Sequence, residues 1–295
     1  MLLLSIDFED WHQLVHRRLG RADWDRRGPA LERQTEVVLS LLDELDVKAT
    51  FFVLGLTAGR YPDLVREAAS RGHELASHGY AHERVYDQTP ETFRADLTRG
   101  LEALEGAAGV RAVGYRAPAF SITRDTPWAY DVLAELGFEY DSSQYDSPRI
   151  PRRITPVPRT PYRLRLESGS ELWELPVAAA GFRGRSLPVG GGAYWRVLPA
   201  PLIARALRSL VDQGAAPALY FHPYEFDPEP LRADVQGVAA SLRALRRNVA
   251  RGTVAARLRK IAAEFPLRPY GTAVKDLAER PGPGAKTLSG AGVLL

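Results

Sequence analysis

The chain of 295 residues contains no cysteine. This absence excludes a disulfide-stabilised scaffold, a thiolate metal site and a cysteine nucleophile. Any metal bound to this chain must therefore be held by histidine, aspartate or glutamate. Long apolar runs are also missing, because none approaches the roughly 20 residues that cross a bilayer. We therefore predict no transmembrane segment.

A large excess of one charge is absent as well. The chain has 39 lysines and arginines against 36 aspartates and glutamates, which gives a net charge of +3 and an isoelectric point of about 9.1. This excess is too small to indicate nucleic-acid binding. The amino terminus begins with apolar residues, but acids at positions 7, 9 and 10 interrupt them before the roughly 7–15 apolar residues of a secretory signal. We expect a cytoplasmic protein.

Short apolar runs alternate with segments of helical periodicity along most of the chain. Six strands are predicted at residues 2–6, 49–55, 73–77, 112–116, 138–142 and 218–222. Helices are predicted near residues 31–45, 62–72, 91–104, 127–136 and 201–213. Such alternation is typical of parallel β/α construction, and the number of units favours an α/β barrel.

The carboxyl-terminal half shows weaker patterns. Residues 163–174 alternate weakly and predict a hairpin, whereas residues 235–265 have a long, arginine-rich helical pattern that is typical of a solvated helix face. After residue 281 the composition turns to glycine, proline, alanine and serine. We predict one domain over residues 1–270, followed by an extended or mobile tail over residues 271–295.

Three acids stand where the first strand should end. Alternation along the strand sends Asp7 and Glu9 to one side, with Asp10 at the turn. Three carboxylates this close repel one another, so a cation or a proton is expected among them.

A histidine pair lies after the third predicted strand. His78 and His82 are four residues apart, so on one helical turn both imidazoles would project to the same side. Two histidines and one carboxylate form a common zinc site that leaves a position open for water. The pair is therefore a candidate metal site.

Two further polar residues end later strands. Arg116 precedes Pro118, which fixes the local backbone, and a guanidinium there can hold a catalytic carboxylate. His222 ends an apolar strand, and an imidazole suits proton donation to a leaving group. The active sites of parallel β/α barrels collect at the carboxyl ends of strands. We therefore expect these residues to converge with the acids and the histidine pair.

A triple glycine at residues 190–192 permits close approach of the backbone but does not match a phosphate-binding loop. Tyr194, Trp195 and Arg196 follow it. Tyr194 and Arg196 are candidates for lining a sugar-binding groove, and the alternative is packing within the loop.

Taken in order, these motifs resemble the polysaccharide deacetylases of carbohydrate esterase family four, which share the nodulation-type deacetylase homology domain. The resemblance rests on Asp-Phe-Glu-Asp at 7–10, Ser-His-x-x-x-His at 77–82, Arg-Ala-Pro at 116–118 and the late His222. Finer strings, such as Asp-Phe-Glu-Asp-Trp-His-Gln and His-Pro-Tyr-Glu-Phe-Asp-Pro, resemble the branch encoded beside exosortase (PEP-CTERM) exopolysaccharide loci. The family implies a distorted (β/α) barrel of about seven strands with one divalent metal, usually zinc.

The resemblance also implies roles for the site residues. Direct alignment makes Glu9 the catalytic base and Asp10 a metal ligand beside the two histidines. A related branch with an Asp-x-Asp motif uses the earlier acid as base, which would instead make Asp7 the base and Glu9 the ligand.

Two positions depart from the family pattern. The family's Arg-x-Pro-Tyr is Arg-Ala-Pro-Ala here, so the contact of that tyrosine would fall to Phe120. Trp173 would stand for the tryptophan of the fourth motif.

The resemblance implies a metal-dependent hydrolase that removes N-acetyl groups from amino sugars of a bacterial exopolysaccharide or its precursor. Its partner would be an N-acetylated polysaccharide or oligosaccharide, with no role for nucleic acid. One alternative on the same fold is the hydrolysis of a small cyclic amide or imide. The other is an inactive carbohydrate-binding homologue.

Overall fold

The computed structural model describes residues 1–148, 150–182, 185–232, 238–279 and 286–288. Its strands are β1 (Leu2–Phe8), β2 (Thr50–Val53), β3 (Glu74–Ser77), β4 (Gly114–Tyr115), β5 (Tyr140–Asp141), β6 (Tyr162–Arg165), β7 (Glu171–Glu174), β8 (Ala179–Phe182), β9 (Arg185–Pro188), β10 (Ala218–Phe221), β11 (Leu267–Arg268) and β12 (Lys286–Thr287). Its α-helices are α1 (Trp11–Arg18), α2 (Leu31–Glu44), α3 (Gly55–Arg60), α4 (Pro62–Ser70), α5 (Pro90–Ala108), α6 (Trp128–Glu135), α7 (Gly192–Trp195), α8 (Ala200–Asp212), α9 (Val238–Asn248), α10 (Val254–Ala262) and α11 (Tyr270–Ala278).

Seven of the described strands form a parallel sheet that curves into a barrel. Their order is β10, β1, β2, β3, β4, β5 and β7, and each neighbouring pair is parallel. Val177, just after β7, bridges to Ala218 in β10 and so joins the two ends of this order. The barrel is distorted, because β4 and β5 contain only two residues each. The predicted distorted barrel of about seven parallel strands is confirmed.

The barrel interior is partly polar, and this follows from the alternation along β1. Leu2, Leu4 and Ile6 pack outward against the helices in the main apolar core. Leu3 packs with residues of other strands in a separate apolar cluster. Because successive side chains of a strand point to opposite faces, Asp7 lies on the same side as Leu3. The first strand therefore carries a carboxylate into the barrel.

The carboxyl-terminal half departs from the prediction in two places. Residues 271–278 are not an extended tail but belong to α11, whose first residue, Tyr270, is fully buried in the same cluster as Leu3. Further on, β12 pairs with β6, and Leu288 packs in the core. Tail residues 280–285 and 289–295 lie outside the described part.

Two further predictions for the carboxyl-terminal half concern a hairpin and a long helix. The hairpin predicted at 163–174 corresponds to the antiparallel pair β6 and β7. The long helical pattern of 235–265 forms two helices, α9 and α10, and Ala250 between them has a left-handed backbone. Residues 235–237 of that pattern lie outside the described part. Among the described helices, none is both long enough and apolar enough to cross a bilayer.

The close contact between β4 and β5 gives a first prediction. Gly114 lies against the ring of Tyr140, and a Cβ at this position would overlap the ring atoms. We expect Gly114→Ala to lower the free energy of unfolding by about 1–3 kcal/mol, as overpacking in a core does. Urea denaturation measures this change.

Gly106→Ala in α5 is the matched control. Beyond the adjacent helix backbone, no described residue lies within 4 Å of a Cβ there. Alanine is favoured over glycine in a helix by roughly 0.5–1 kcal/mol. This variant should be at least as stable as the wild type. Wild-type stability of Gly114→Ala would contradict the tight packing of β4 on β5.

Candidate active site

Glu9, His78 and His82 meet at the carboxyl end of the barrel strands. Each offers one ligand atom, and these three atoms lie within 4.8 Å of one another. Oε2 of Glu9 is 3.2 Å from Nε2 of His82 and 3.9 Å from Nε2 of His78. Two imidazoles and one carboxylate with this spacing can hold a divalent metal and leave a coordination position open.

The two histidines are brought together by a loop rather than by a helical turn. Gly79 and His82 both have positive φ values, of 75° and 58°. Asp96 from α5 holds the loop, because its carboxylate accepts hydrogen bonds from the backbone amides of Tyr80 (2.8 Å) and Ala81 (3.4 Å). A positive φ is uncommon for residues other than glycine, and backbone of this kind is often found at functional sites. The spacing of four residues was the right signal for proximity, but the helical explanation was wrong.

The local contacts of Glu9 and His78 fit a cation. Nδ1 of His78 is 2.8 Å from the carbonyl oxygen of Arg116, so a proton on Nδ1 leaves the Nε2 lone pair facing Glu9. Burial lowers the pKa of His78 to about 4, which keeps the imidazole in the neutral form that binds metals. Oε2 of Glu9 is buried and has no hydrogen-bond partner among the described residues. Burial opposes ionisation of Glu9, but the surrounding histidines outweigh it and lower the pKa of this carboxyl.

Asp7 lies next to this group and is bound to Arg116. Nη1 of Arg116 donates to Oδ1 of Asp7 at 2.6 Å and to the Ser5 hydroxyl at 2.8 Å. Nη2 donates to the hydroxyls of Tyr270 (2.8 Å) and Ser142 (3.0 Å). Arg116 has no solvent exposure. Burial disfavours its charge, but Asp7 outweighs this effect and raises the pKa of the guanidinium.

His222 faces the second carboxylate oxygen of Glu9, the one that does not face His78 and His82. Its Nε2 is 3.4 Å from Oε1 of Glu9, and its Nδ1 is 3.2 Å from Oε2 of Glu225. The same Glu225 oxygen accepts from the backbone amide of His222 at 3.0 Å. Burial alone would lower the pKa of His222, but the bond to Glu225 and the charge of Glu9 raise it. The ring is therefore held in one orientation, with Nε2 toward the site.

Asp10 is not part of this group. Its carboxylate caps α1 by accepting from the backbone amide of His12 at 2.9 Å. It also accepts from the amide of Gly28 at 2.8 Å and from the hydroxyl of Tyr61 at 2.7 Å. Direct alignment made Asp10 the metal ligand and Glu9 the base. The structure instead brings Glu9 to the histidines and Asp7 to Arg116, as the alternative alignment requires.

Aromatic side chains border the site beside His222. The ring of Phe120 packs against those of Tyr220 and Tyr145, with centroids 4.9 and 5.3 Å apart. Tyr194 continues the cluster, since its centroid is 6.4 Å from that of Tyr145. Pro118 is buried in the turn that carries Phe120. Of the residues predicted to bind substrate, Phe120 and Tyr194 thus belong to one aromatic cluster, in which Phe120 is buried and Tyr194 is half-buried.

Arg196 and Trp173 lie elsewhere. The Arg196 side chain is only 9% exposed, and it donates to the backbone carbonyl of Arg247 at 2.6 Å and lies 3.4 Å from Glu225. It therefore supports the carboxylate that orients His222 rather than lining an open groove. Gly192 of the triple glycine lies against this carboxylate, where a Cβ would overlap it. Trp173 packs in the barrel cluster, with Arg163 5.3 Å above its ring.

A polar cavity of about 300 Å³ opens beside His82. It is lined by Leu14, Arg17, Arg18, His82, Glu83, Arg84, Asp87 and Ala119. The cavity offers both donors and acceptors next to the candidate metal ligands, which suits a hydroxyl-rich ligand.

Several residues that support the site were not predicted from the sequence. Ser5, Ser142 and Tyr270 complete the surroundings of Arg116, and Glu225 orients His222. Glu225 had a local signal, because a glutamate three residues after a strand-end histidine can reach back to it, as in a capping box. Tyr270 had none, since it lies 154 residues from Arg116 in the chain.

Two family models match the chain. The model for polysaccharide deacetylase covers residues 25–140, and that for a domain of unknown function (DUF3473) covers residues 142–275. The two histidines and Arg116 fall in the first match and His222 in the second, whereas the three acids precede both. Because β1 pairs with β10, both matched segments contribute to one barrel.

Curated relatives resemble only part of the chain. The peptidoglycan-N-acetylglucosamine deacetylase of Bacillus cereus is 34% identical over 91 residues, which are 31% of this chain and 33% of that protein. The chitooligosaccharide deacetylase of Rhizobium leguminosarum bv. trifolii is 35% identical over 100 residues, which are 34% of this chain and 44% of that protein. The chain therefore matches less than half the length of these relatives.

A solved structure resembles almost the whole chain. It is that of a Mycobacterium smegmatis protein assigned as a polysaccharide deacetylase, with 28% identity and a TM-score of 0.63. The similarity covers 96% of this chain and 92% of that one. Residues 25–140 therefore match the polysaccharide deacetylase family, and the whole barrel resembles the structure of a protein assigned to it.

Proposed function

We propose that this protein is a metal-dependent hydrolase that removes N-acetyl groups from the amino sugars of a bacterial exopolysaccharide or its precursor. The observation that carries the proposal is the position of the buried Oε2 of Glu9, which lies 3.2 Å from Nε2 of His82 and 3.9 Å from Nε2 of His78, so that one cation can contact all three groups. A buried carboxylate oxygen in this state needs a cation.

Glu9, His78 and His82 would hold the metal, and the ligand set suits zinc. A divalent metal bound there would lower the pKa of water and polarise the acetamide carbonyl. In this assignment Asp10 has no contact with the metal, because its carboxylate is occupied by the start of α1 and by Tyr61.

Asp7 is the base in this proposal. It would take a proton from the attacking water, and Arg116 fixes its Oδ1 so that the carboxylate keeps one orientation. A fixed base lowers the entropic cost of reaching the transition state. Arg116 is therefore a positioning residue, and it does not need to touch the substrate.

His222 would donate the proton that turns the departing nitrogen into an amine. Glu225 holds Nδ1, so the proton to be transferred lies on Nε2, on the side of Glu9. The half-buried Tyr194 would stack on a sugar face, and the buried rings of Phe120 and Tyr145 would support it from behind.

The choice of exopolysaccharide rests on the motifs that resemble the branch encoded beside exopolysaccharide loci. The named relatives include deacetylases of peptidoglycan and of chitooligosaccharides, so N-acetylated hexosamine is the shared substrate class. The cyclic-amide and inactive-homologue alternatives gain no support from these relatives.

The activity itself can be tested with soluble substrates. We expect the purified protein to release acetate from N-acetylglucosamine oligosaccharides, to lose this activity after treatment with a chelator, and to regain it with added zinc. An acetate assay coupled to metal analysis measures all three steps. Acetate release that continues at the same rate in metal-free protein would contradict the metal-dependent proposal.

The proposed metal ligands predict different results for substitutions of Glu9 and Asp10. We expect Glu9→Gln to lose bound zinc, because an amide oxygen is a weaker ligand than a carboxylate. Asp10→Asn should keep zinc but lower the free energy of unfolding by about 1–3 kcal/mol, since buried donors lose their acceptor. Metal content and urea denaturation of both variants decide the matter. Zinc retained in Glu9→Gln and lost in Asp10→Asn would restore the direct alignment.

If Asp7 is the base, its substitution should lower the reaction rate rather than the metal content. Asp7→Asn should keep its zinc and lower kcat by about 10²–10⁴-fold, the range for loss of a general base. Asp63→Asn is the matched control, because Asp63 is exposed on α4 and forms a surface ion pair with Arg66 of the same helix. Activity of Asp7→Asn within a few-fold of this control would remove Asp7 from the mechanism.

A further inference from the structure

Two buried carboxyl groups lie opposite each other behind Arg116. Asp141 in β5 and Glu174 in β7 are register partners on neighbouring parallel strands. Neither has any solvent exposure, and the two carboxyl groups are hydrogen-bonded to each other. The proposed chemistry uses neither of them.

The contacts of the pair indicate that it holds one proton. Two carboxylates in contact in a dry environment cannot both be ionised, so one of them keeps its proton and donates it to the other. Burial and the charge of Asp141 raise the pKa of Glu174 well above its usual range. Glu174 is therefore the donor and Asp141 the acceptor.

The pair fixes the segment that follows β5. Asp141 accepts from the backbone amide of Ser143 at 3.0 Å and from its hydroxyl at 2.6 Å. Glu174 accepts from the backbone amide of Gln144 at 3.0 Å and from the hydroxyl of Tyr130 at 3.2 Å. These bonds leave the backbone of residues 142–144 little freedom.

That segment in turn holds Arg116. The Ser142 carbonyl accepts from Nε of Arg116 at 3.1 Å, and the Ser142 hydroxyl accepts from Nη2 at 3.0 Å. The Ser143 hydroxyl accepts from the backbone amide of Ala117 at 2.8 Å. A continuous set of hydrogen bonds therefore runs from the carboxyl pair to the guanidinium that binds Asp7.

We propose that Asp141 and Glu174 form a proton-sharing pair that positions Arg116 and, through it, Asp7. Apolar side chains of similar volume would fill this space without the cost of burying two acids. They would offer no directed acceptors for Ser143 and Gln144. The positioning role rests on the proposed function, whereas the shared proton does not.

The shared proton predicts a pH dependence of stability. In the unfolded chain, the carboxyl groups of Asp141 and Glu174 both titrate near pH 4. Folded, Glu174 keeps its proton to higher pH, so its contribution to stability is full below the unfolded pKa and declines as the pH rises toward the folded pKa. The groups facing the pair are Tyr115, Tyr130, Tyr162 and Arg116. Burial raises the pKa of the three tyrosines and Asp7 raises that of Arg116, so none of the four titrates between pH 5 and 8.

Glu174→Gln tests whether the pair shares a proton, because the glutamine amide can donate to Asp141 but does not titrate. We expect the urea midpoint of this variant to rise relative to the wild type between pH 5 and pH 8. A difference that stays constant over this range would overturn the shared proton. If the variant does not fold, the double variant Asp141→Asn/Glu174→Gln removes both titrating carboxyls and gives the same comparison.

Ser143→Ala tests the positioning, because it cuts the link between Asp141 and Ala117. We expect kcat to fall by about tenfold or more, since a small misplacement of a reacting group is costly, with KM and zinc content unchanged. Ser40→Ala is the control, because Ser40 lies on the exposed face of α2 and its hydroxyl donates to Glu36 of the same helix. Wild-type kcat in Ser143→Ala would overturn the role. If the wild type proves inactive on every N-acetylated saccharide, the proposed function fails and the positioning role with it, while the urea comparison still decides the shared proton.

Discussion

The buried ion pair between Arg116 and Asp7 is the contact on which the rest of the site depends. A guanidinium without solvent exposure needs a counter-charge and several acceptors, because a buried charge left without its partner costs about 3–5 kcal/mol. The barrel meets this need from different parts of the chain, through Ser5 in β1, Ser142 after β5 and Tyr270 at the start of α11. The carbonyl of Arg116 also orients His78, so one residue links the acid–base side of the site to its metal side.

The barrel was predictable because its signals are local. Apolar strands alternating with amphipathic helices appear in windows of about ten residues, and parallel strands place their carboxyl ends at one edge. This reasoning brought Asp7, His78, Arg116 and His222 to the same end of the barrel. The last helix was missed because a low-complexity tail follows it, and α11 packs mainly through Tyr270 and two later residues.

The choice among the three acids depended on where β1 ends. Motif alignment compares only positions in the sequence, whereas the role of an acid depends on where its side chain points. The strand β1 continues to Phe8. Asp7 therefore points into the barrel, Glu9 follows the strand end, and Asp10 begins a helix. An N-cap signal was present, since an aspartate directly before an amphipathic segment is a common helix start. The partners of Arg116 had no such signal, because they come from distant parts of the chain.

The pairing of β1 with β10 has a consequence for how the molecule folds. The first strand is bordered on one side by a strand more than 200 residues later, and the hydroxyl of Ser5 donates to the carbonyl of Leu219 across that gap. Contacts this distant in the chain slow folding, because the loop must close before the strands gain anything from pairing. Until β10 arrives, the edge of β1 that precedes Asp7 has unpaired backbone groups. Such an edge is a template for pairing with another chain, so the strand that carries Asp7 is exposed to aggregation in a newly made chain until β10 is present.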